Sequence, residues 1–165
     1  MKKPWIAAAA ALCLAAPSAY AGVGQGDIEA GISVSLTSVS IDLGSLGTQD
    51  SDSGNINVNG GYFINDMVEI KTELSMSVST DSTSGTFKPG ADFLFGSKQS
   101  LVPFVGAAYA LGLSDTKTDF LDLHGGLKYF FRENTSVEAK LSILSATDSA
   151  YDSATDLSVG INVYF

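Results

Sequence analysis

Apolar and polar residues alternate one for one through most of this chain. From Asp27 to Ile41, Ile28, Ala30, Ile32, Val34 and Leu36 share one side, and Glu29, Gly31, Ser33, Ser35 and Thr37 share the other. A period of two marks a β-strand whose faces meet different surroundings. The alternation recurs at Gly54–Phe63, Val68–Val78, Thr86–Phe95, Leu101–Leu113, Asp119–Phe131, Ser136–Leu144 and Thr155–Phe165, which predicts eight strands. Each is close to the ~9–11 residues that cross a bilayer as a tilted strand. The longest uncharged apolar run after Gly22 is Leu101–Leu113, interrupted by Pro103 and two glycines, far from the ~20 residues of a spanning helix.

Such a pattern fits a soluble sandwich with its apolar faces inside, or a membrane barrel with its apolar faces outside. Aromatic placement favours the barrel. Tyr62-Phe63, Phe93 with Phe95, Tyr129-Phe130-Phe131 and Tyr164-Phe165 all fall at the ends of even-numbered strands. In an up-and-down barrel these ends share one rim. Tyr62, Phe63, Phe93, Phe95, Tyr129, Phe131 and Phe165 are expected to form an aromatic girdle at a membrane–water interface there. The connections at that rim, Ile64–Met67, Gly96–Ser100 and Arg132–Thr135, are tight. On the opposite side Asp42–Ser53 and Ser145–Ala154 read as longer loops rich in Asp and Ser, while Ser79–Gly85 and Ser114–Thr118 are short. Tight turns on one side and longer loops on the other place the turns and both termini in the periplasm. Pro89 and Pro103 each remove a ladder donor inside a predicted strand. Pro103 is expected near a strand start and Pro89 beside a bulge.

The last strand alternates Leu157, Val159, Ile161, Val163 and Phe165 up to the terminus. It resembles the closing strand of bacterial outer-membrane proteins, whose final aromatic is read by the barrel assembly machinery. Together with Leu101-Val102-Pro103-Phe104-Val105-Gly106-Ala107, it makes the chain similar to the small barrels of the OmpA transmembrane-domain, OmpX and OmpW type. The resemblance implies an all-β, eight-stranded antiparallel up-and-down transmembrane β-barrel. It covers residues 22–165 as a pattern and only those two stretches as motifs. The loops read as shorter than in the OmpA type, and no periplasmic domain is expected.

The beginning of the chain reads as an address. Met1-Lys2-Lys3 is positive, Trp5–Ala16 is an uncharged apolar run, Pro17 breaks it, and Ala19-Tyr20-Ala21 offers small residues for cleavage. These three parts in order predict a secretory signal peptide over residues 1–21. Cys13, the only cysteine, lies within it after Leu12, where a lipoprotein would carry a small residue. The exported chain therefore uses no disulfide.

Charge sharpens the picture. Nine Lys+Arg stand against 18 Asp+Glu, a net charge of −9. This argues against nucleic acid and anionic lipid surfaces as partners. Parity sends Glu29, Glu69, Lys71, Glu73, Lys88, Asp92, Asp122, His124, Lys128, Glu138 and Lys140 inward. A lumen of eight strands holds little more than side chains. Buried charges must pair, so an ion-pair network plugging the barrel is expected. The competing reading is a narrow cation-preferring passage lined by Asn55, Asn57, Asn59 and these acids.

His124 is the one histidine. Lipid A deacylases carry His-x-Ser on a lipid-facing strand, whereas here His124-Gly125-Gly126 has no serine and the parity is inward. Asp50-Ser51-Asp52-Ser53-Gly54 begins like a calcium loop but lacks the later ligands. The Asn134-Thr135-Ser136 sequon falls in a tight turn and carries no role. No catalytic, metal or cofactor site is predicted. The expectation is a monomeric, non-enzymatic outer-membrane barrel in contact with lipid, with structural or surface-interaction roles. Any extracellular ligand would meet loops 42–53 and 145–154. A small diffusion channel, a lipid-modifying enzyme and a secreted sandwich are the alternatives.

Overall fold

Alternation becomes a closed wall. The computed structural model describes residues 22–42, 48–78, 83–96, 99–113, 119–146 and 153–165; the predicted leader, residues 1–21, lies outside them. The strands are β1 (Ile28–Asp42), β2 (Thr48–Asn65), β3 (Val68–Val78), β4 (Thr83–Leu94), β5 (Leu101–Gly112), β6 (Phe120–Arg132), β7 (Thr135–Ala146) and β8 (Ser153–Tyr164). Each pairs antiparallel with its sequence neighbours, and β1 pairs with β8, so the sheet is an eight-stranded closed barrel.

Register puts like with like. Ile32 lies opposite Val58 on β2 and Ile161 on β8, and all three point out of the barrel. The outer wall is a belt of Ile, Val and Leu, with Leu36 66 % and Leu141 51 % exposed. Such a surface would be a severe liability in water and suits acyl chains. The same register turns Glu29, Lys71, Lys128 and their neighbours inward.

The turn end is tightly organised. Register shifts at Phe63/Asn65 in the β2–β3 pair and at Phe130/Arg132 in the β6–β7 pair mark bulges beside two inward rings. Asn65 Oδ1 accepts from the N–H groups of Met67 and Val68, both at 2.9 Å, closing the β2–β3 turn. The segment before β1 crosses this mouth. Gly22 N–H donates to the Glu133 carbonyl at 3.1 Å, Gln25 N–H to Asp66 Oδ1 at 3.1 Å, and Gly26 N–H to the Phe63 carbonyl at 2.9 Å. Gly26 has φ +97°, a left-handed turn that favours glycine.

Three expectations need correcting. The segment 42–53 is mostly not a loop: β2 begins at Thr48 and pairs with β1 as far as Asp42. Likewise β7 runs to Ala146 and β8 starts at Ser153. The ladder continues where every residue from Thr48 to Ser53 is polar, so the period-two signal fades although the strand does not. Residues 43–47 and 147–152 are outside the described set. Pro89 sits beside no bulge. Pairing between β4 and β5 lapses between Phe87↔Leu111 and Gly90↔Ala108 and resumes in the same register. The missing donor is accommodated by two skipped pairs, at Lys88/Ala110 and Pro89/Tyr109. Pro103 is the third residue of β5, as its strand-start expectation required.

Gly125 and Gly126 give a paired test. A Cβ at Gly126 would strike the Ala139 carbonyl and approach two Phe104 ring carbons to 2.8 Å, whereas one at Gly125 meets nothing nearer than 3.4 Å. Gly126→Ala is expected to lower stability by about 1–3 kcal/mol through overpacking, with Gly125→Ala near neutral. Urea unfolding of the barrel in lipid vesicles, read by heat-modifiable gel migration, measures both.

Candidate functional site

The inward side chains form three levels. At the turn end, Val23, Phe63, Leu94, Val102, Phe104, Phe130 and Tyr164 make an apolar cluster inside the barrel. The Phe130 and Tyr164 rings lie 5.2 Å apart, tilted by 33°, those of Phe63 and Tyr164 6.2 Å apart, tilted by 59°, and the Tyr164 hydroxyl meets that of Ser136 at 3.0 Å. This corrects the girdle. Phe63 is 0 % exposed and part of this plug, with Phe130 and Tyr164. Each occupies an inward position of its strand, and aromatic clustering obscured that parity. Tyr62, Phe93, Phe95 and Phe165 stand exposed on the outer wall or rim, and Tyr129 and Phe131 are half-buried.

Above the plug lies Lys128, 0 % exposed. Its Nζ is 5.6–5.8 Å from the ring centres of Phe63, Phe104 and Tyr164, within cation–π range. It bonds the Glu29 carboxylate and Glu69, the latter at 2.9 Å. Glu29 also accepts from Lys71 at 3.0 Å and from the Asn59 amide at 2.7 Å. Glu138 accepts from Lys71 at 3.0 Å and from Asn162 at 2.9 Å. One step further along, Glu73 bridges Lys140 at 2.6 Å and Lys88 at 3.2 Å, and Lys88 lies 3.6 Å from Asp122.

His124 joins the two tiers. Its Nε2 is 2.7 Å from Asp92 and its Nδ1 3.0 Å from Asp122. With both ring nitrogens on carboxylates, the ring has no hydroxyl or thiol to activate. All eleven charged residues singled out from the sequence thus lie in the lumen and in contact with one another. A cavity of about 20 Å³ among Lys71, Asp92, His124 and Lys140 is space on the order of one water molecule.

Sequence reasoning missed Asp156, 2 % exposed, whose Oδ1 accepts from the Thr37 hydroxyl at 2.6 Å. Two positions before inward Ser158, it was legible by parity but lay at the ragged start of the predicted strand. Among the described residues seven buried carboxylates then face four lysines and His124. Asp156 belongs to the third level, a cup of about 210 Å³ at the end away from the plug.

The network predicts a coupled stability effect. Glu69 has Lys128 as its only ion-pair partner among the described residues. Lys128→Met should therefore cost about 3–5 kcal/mol by leaving buried carboxylates uncompensated. Adding Glu69→Gln should recover part of that loss, so the double variant unfolds at higher urea than the single one.

Comparison with known proteins follows this geometry. The chain is similar to the N-terminal β-barrel domain of Pseudomonas aeruginosa OprF, at 19 % identity and TM-score 0.65, covering 87 % of this chain and 100 % of that one. It is similar to Neisserial surface protein A, at 18 % identity and TM-score 0.61, covering 87 % and 99 %. It is similar too to Ail, the attachment invasion locus protein of Yersinia pestis, at 13 % identity and TM-score 0.59, covering 86 % and 99 %. At these identities the likeness is one of fold. No curated protein sequence matches the chain. The family described as outer membrane protein beta-barrel domain matches residues 6–165, which is almost the whole sequence. An outward apolar belt, an inward charged network and this match agree: the chain belongs to the outer membrane protein beta-barrel domain family.

Proposed function

We propose that this barrel is a non-enzymatic, non-conducting monomer of the bacterial outer membrane with a structural or surface-interaction role. The observation that carries the reading is the filling of the lumen at two successive levels, the apolar cluster at the turn end and the ion-pair network above it. A solute or ion would have to part Phe63, Phe104 and Phe130 and separate buried pairs, each several kcal/mol in desolvation to break. The engagement of both His124 nitrogens by carboxylates supports the non-enzymatic part.

In this reading the aromatic turn rim and both termini face the periplasm, the leader over residues 1–21 directs export, and the closing strand engages the assembly machinery. Lipid contacts the apolar belt, and the segments 42–53 and 145–154 meet any external partner. Ail, a fold neighbour, is the attachment invasion locus protein of Yersinia pestis and has been solved in complex with the heparin analogue sucrose octasulfate. Adhesion is one form that a surface role of this chain takes in the proposal.

Planar-bilayer recording tests it. The refolded barrel should give no steady ion current, and vesicles carrying it should not swell in small sugars or amino acids. A stable open level at low voltage would establish the diffusion channel instead. For orientation, cysteines introduced at Glu133 and at Asp148 should be labelled on intact cells by a membrane-impermeant maleimide only at Asp148.

A further inference from the structure

The third interior level is a cup with two unlike walls. Ala110, Phe120, Leu144 and Ala154, from β5 to β8, form an apolar side. Strands β8, β1, β2 and β4 supply a polar side with Asp156, Thr37, Asn55 and Lys88. The cavity of about 210 Å³ is equivalent to about seven water molecules at ~30 Å³ each, the bulk of one hexose.

Hydrogen-bond bookkeeping indicates what the polar wall lacks. The Asn55 amide donates to the Thr37 hydroxyl at 2.9 Å, and that hydroxyl donates to Asp156 Oδ1 at 2.6 Å. These two donors are spent inside the chain. Asp156, which lines the cup, has its Oδ2 buried with no partner among the described residues. A buried carboxylate oxygen without a donor is costly, by an amount comparable to a lost charged hydrogen bond. The cup therefore favours a ligand rich in O–H or N–H groups. Lys88 and Asp156 both line it, so an ion of either sign meets one repulsive group, while a neutral ligand can donate to the carboxylate and accept from the ammonium. An apolar wall beside a donor–acceptor wall suits a ring with a C–H face and hydroxylated edges.

We propose that this cup binds a small, neutral, polyhydroxylated ligand of the size of a single sugar ring, with Asp156 as the principal acceptor. This goes beyond the structural or surface role and does not need a conducting lumen, because the cup lies above the network.

The test uses the exported chain, 15N-labelled and refolded in lauryldimethylamine oxide micelles, since glycoside detergents would compete. D-Glucose is the probe, with putrescine as the cationic control. Saturable amide shifts at Thr37, Leu144, Ala154 and Asp156 are expected with glucose, and none at Val23 or Phe63. Asp156→Asn should weaken binding about tenfold or more by removing the anionic acceptor, and Ala154→Leu, which fills the cup, should do the same. Heat-modifiable migration identifies variants that fold, and either folded variant decides. Absence of glucose shifts, retention of wild-type affinity in a folded variant, or shifts at these amides with putrescine and not glucose would overturn the proposal. A silent bilayer recording bears only on the function proposed above, so the two readings fail separately.

Discussion

The seam between β1 and β8 is the constraint on which everything else rests. Hydrocarbon offers no hydrogen bonds, so a sheet can cross it only when no edge is left. Twelve residue pairs from Glu29↔Tyr164 to Ser40↔Ser153 close that edge. Closure at eight strands then fixes a lumen just wide enough for side chains. It also fixes which side chains meet. Glu29 on the first strand reaches Lys128 on the sixth only because the sheet has come full circle.

Inside that narrow tube, charge is not chiefly a source of stability. Burying an ion pair costs several kcal/mol in desolvation, and a well-packed apolar core would do as well or better. The network does enforce register. Slipping one strand by a single residue would turn its charges to lipid and its Ile, Val and Leu inward. Near the bilayer centre a lysine on the outer face costs ~2–4 kcal/mol. Lys71, Lys128 and Lys140, on three different strands and each tied to carboxylates of others, therefore select one arrangement of the wall. Inward glycines make room for them: a Cβ at Gly61 would collide with the Glu69 carboxylate, and one at Gly106 with Asp92 and His124.

The three levels divide the labour of the interior. The aromatic plug and the strap carrying Val23 close the turn end with apolar packing. The network occupies the middle, and Lys128 joins the two by placing its stem and ammonium against three rings and two carboxylates. The cup alone keeps a sizeable cavity, and it alone mixes an apolar wall with a polar one. Among the described residues, the sizeable interior space thus lies at one end.

Much of this was legible in the sequence for one reason. A strand between lipid and a polar lumen must alternate, and alternation is visible without any structure. It placed every strand, ten of the eleven inward Asp, Glu and Lys side chains, and the inward His124. It failed where the two-sided contrast vanishes. Beyond the apolar belt the ladder from Thr48 to Ser53 is paired but polar throughout, and it read as loop. At the turn end Phe63 and its neighbour Tyr62 are both aromatic, so residue type could not say that one plugs the lumen and the other faces outward. The sequence by itself determined the strands, their sidedness and the need for the interior charges to find partners. Which charge meets which, the stacking of Lys128 on the plug, and the cup around Asp156 were decided by tertiary structure. These depend on contacts between strands far apart in the chain, which exist only once the barrel has closed.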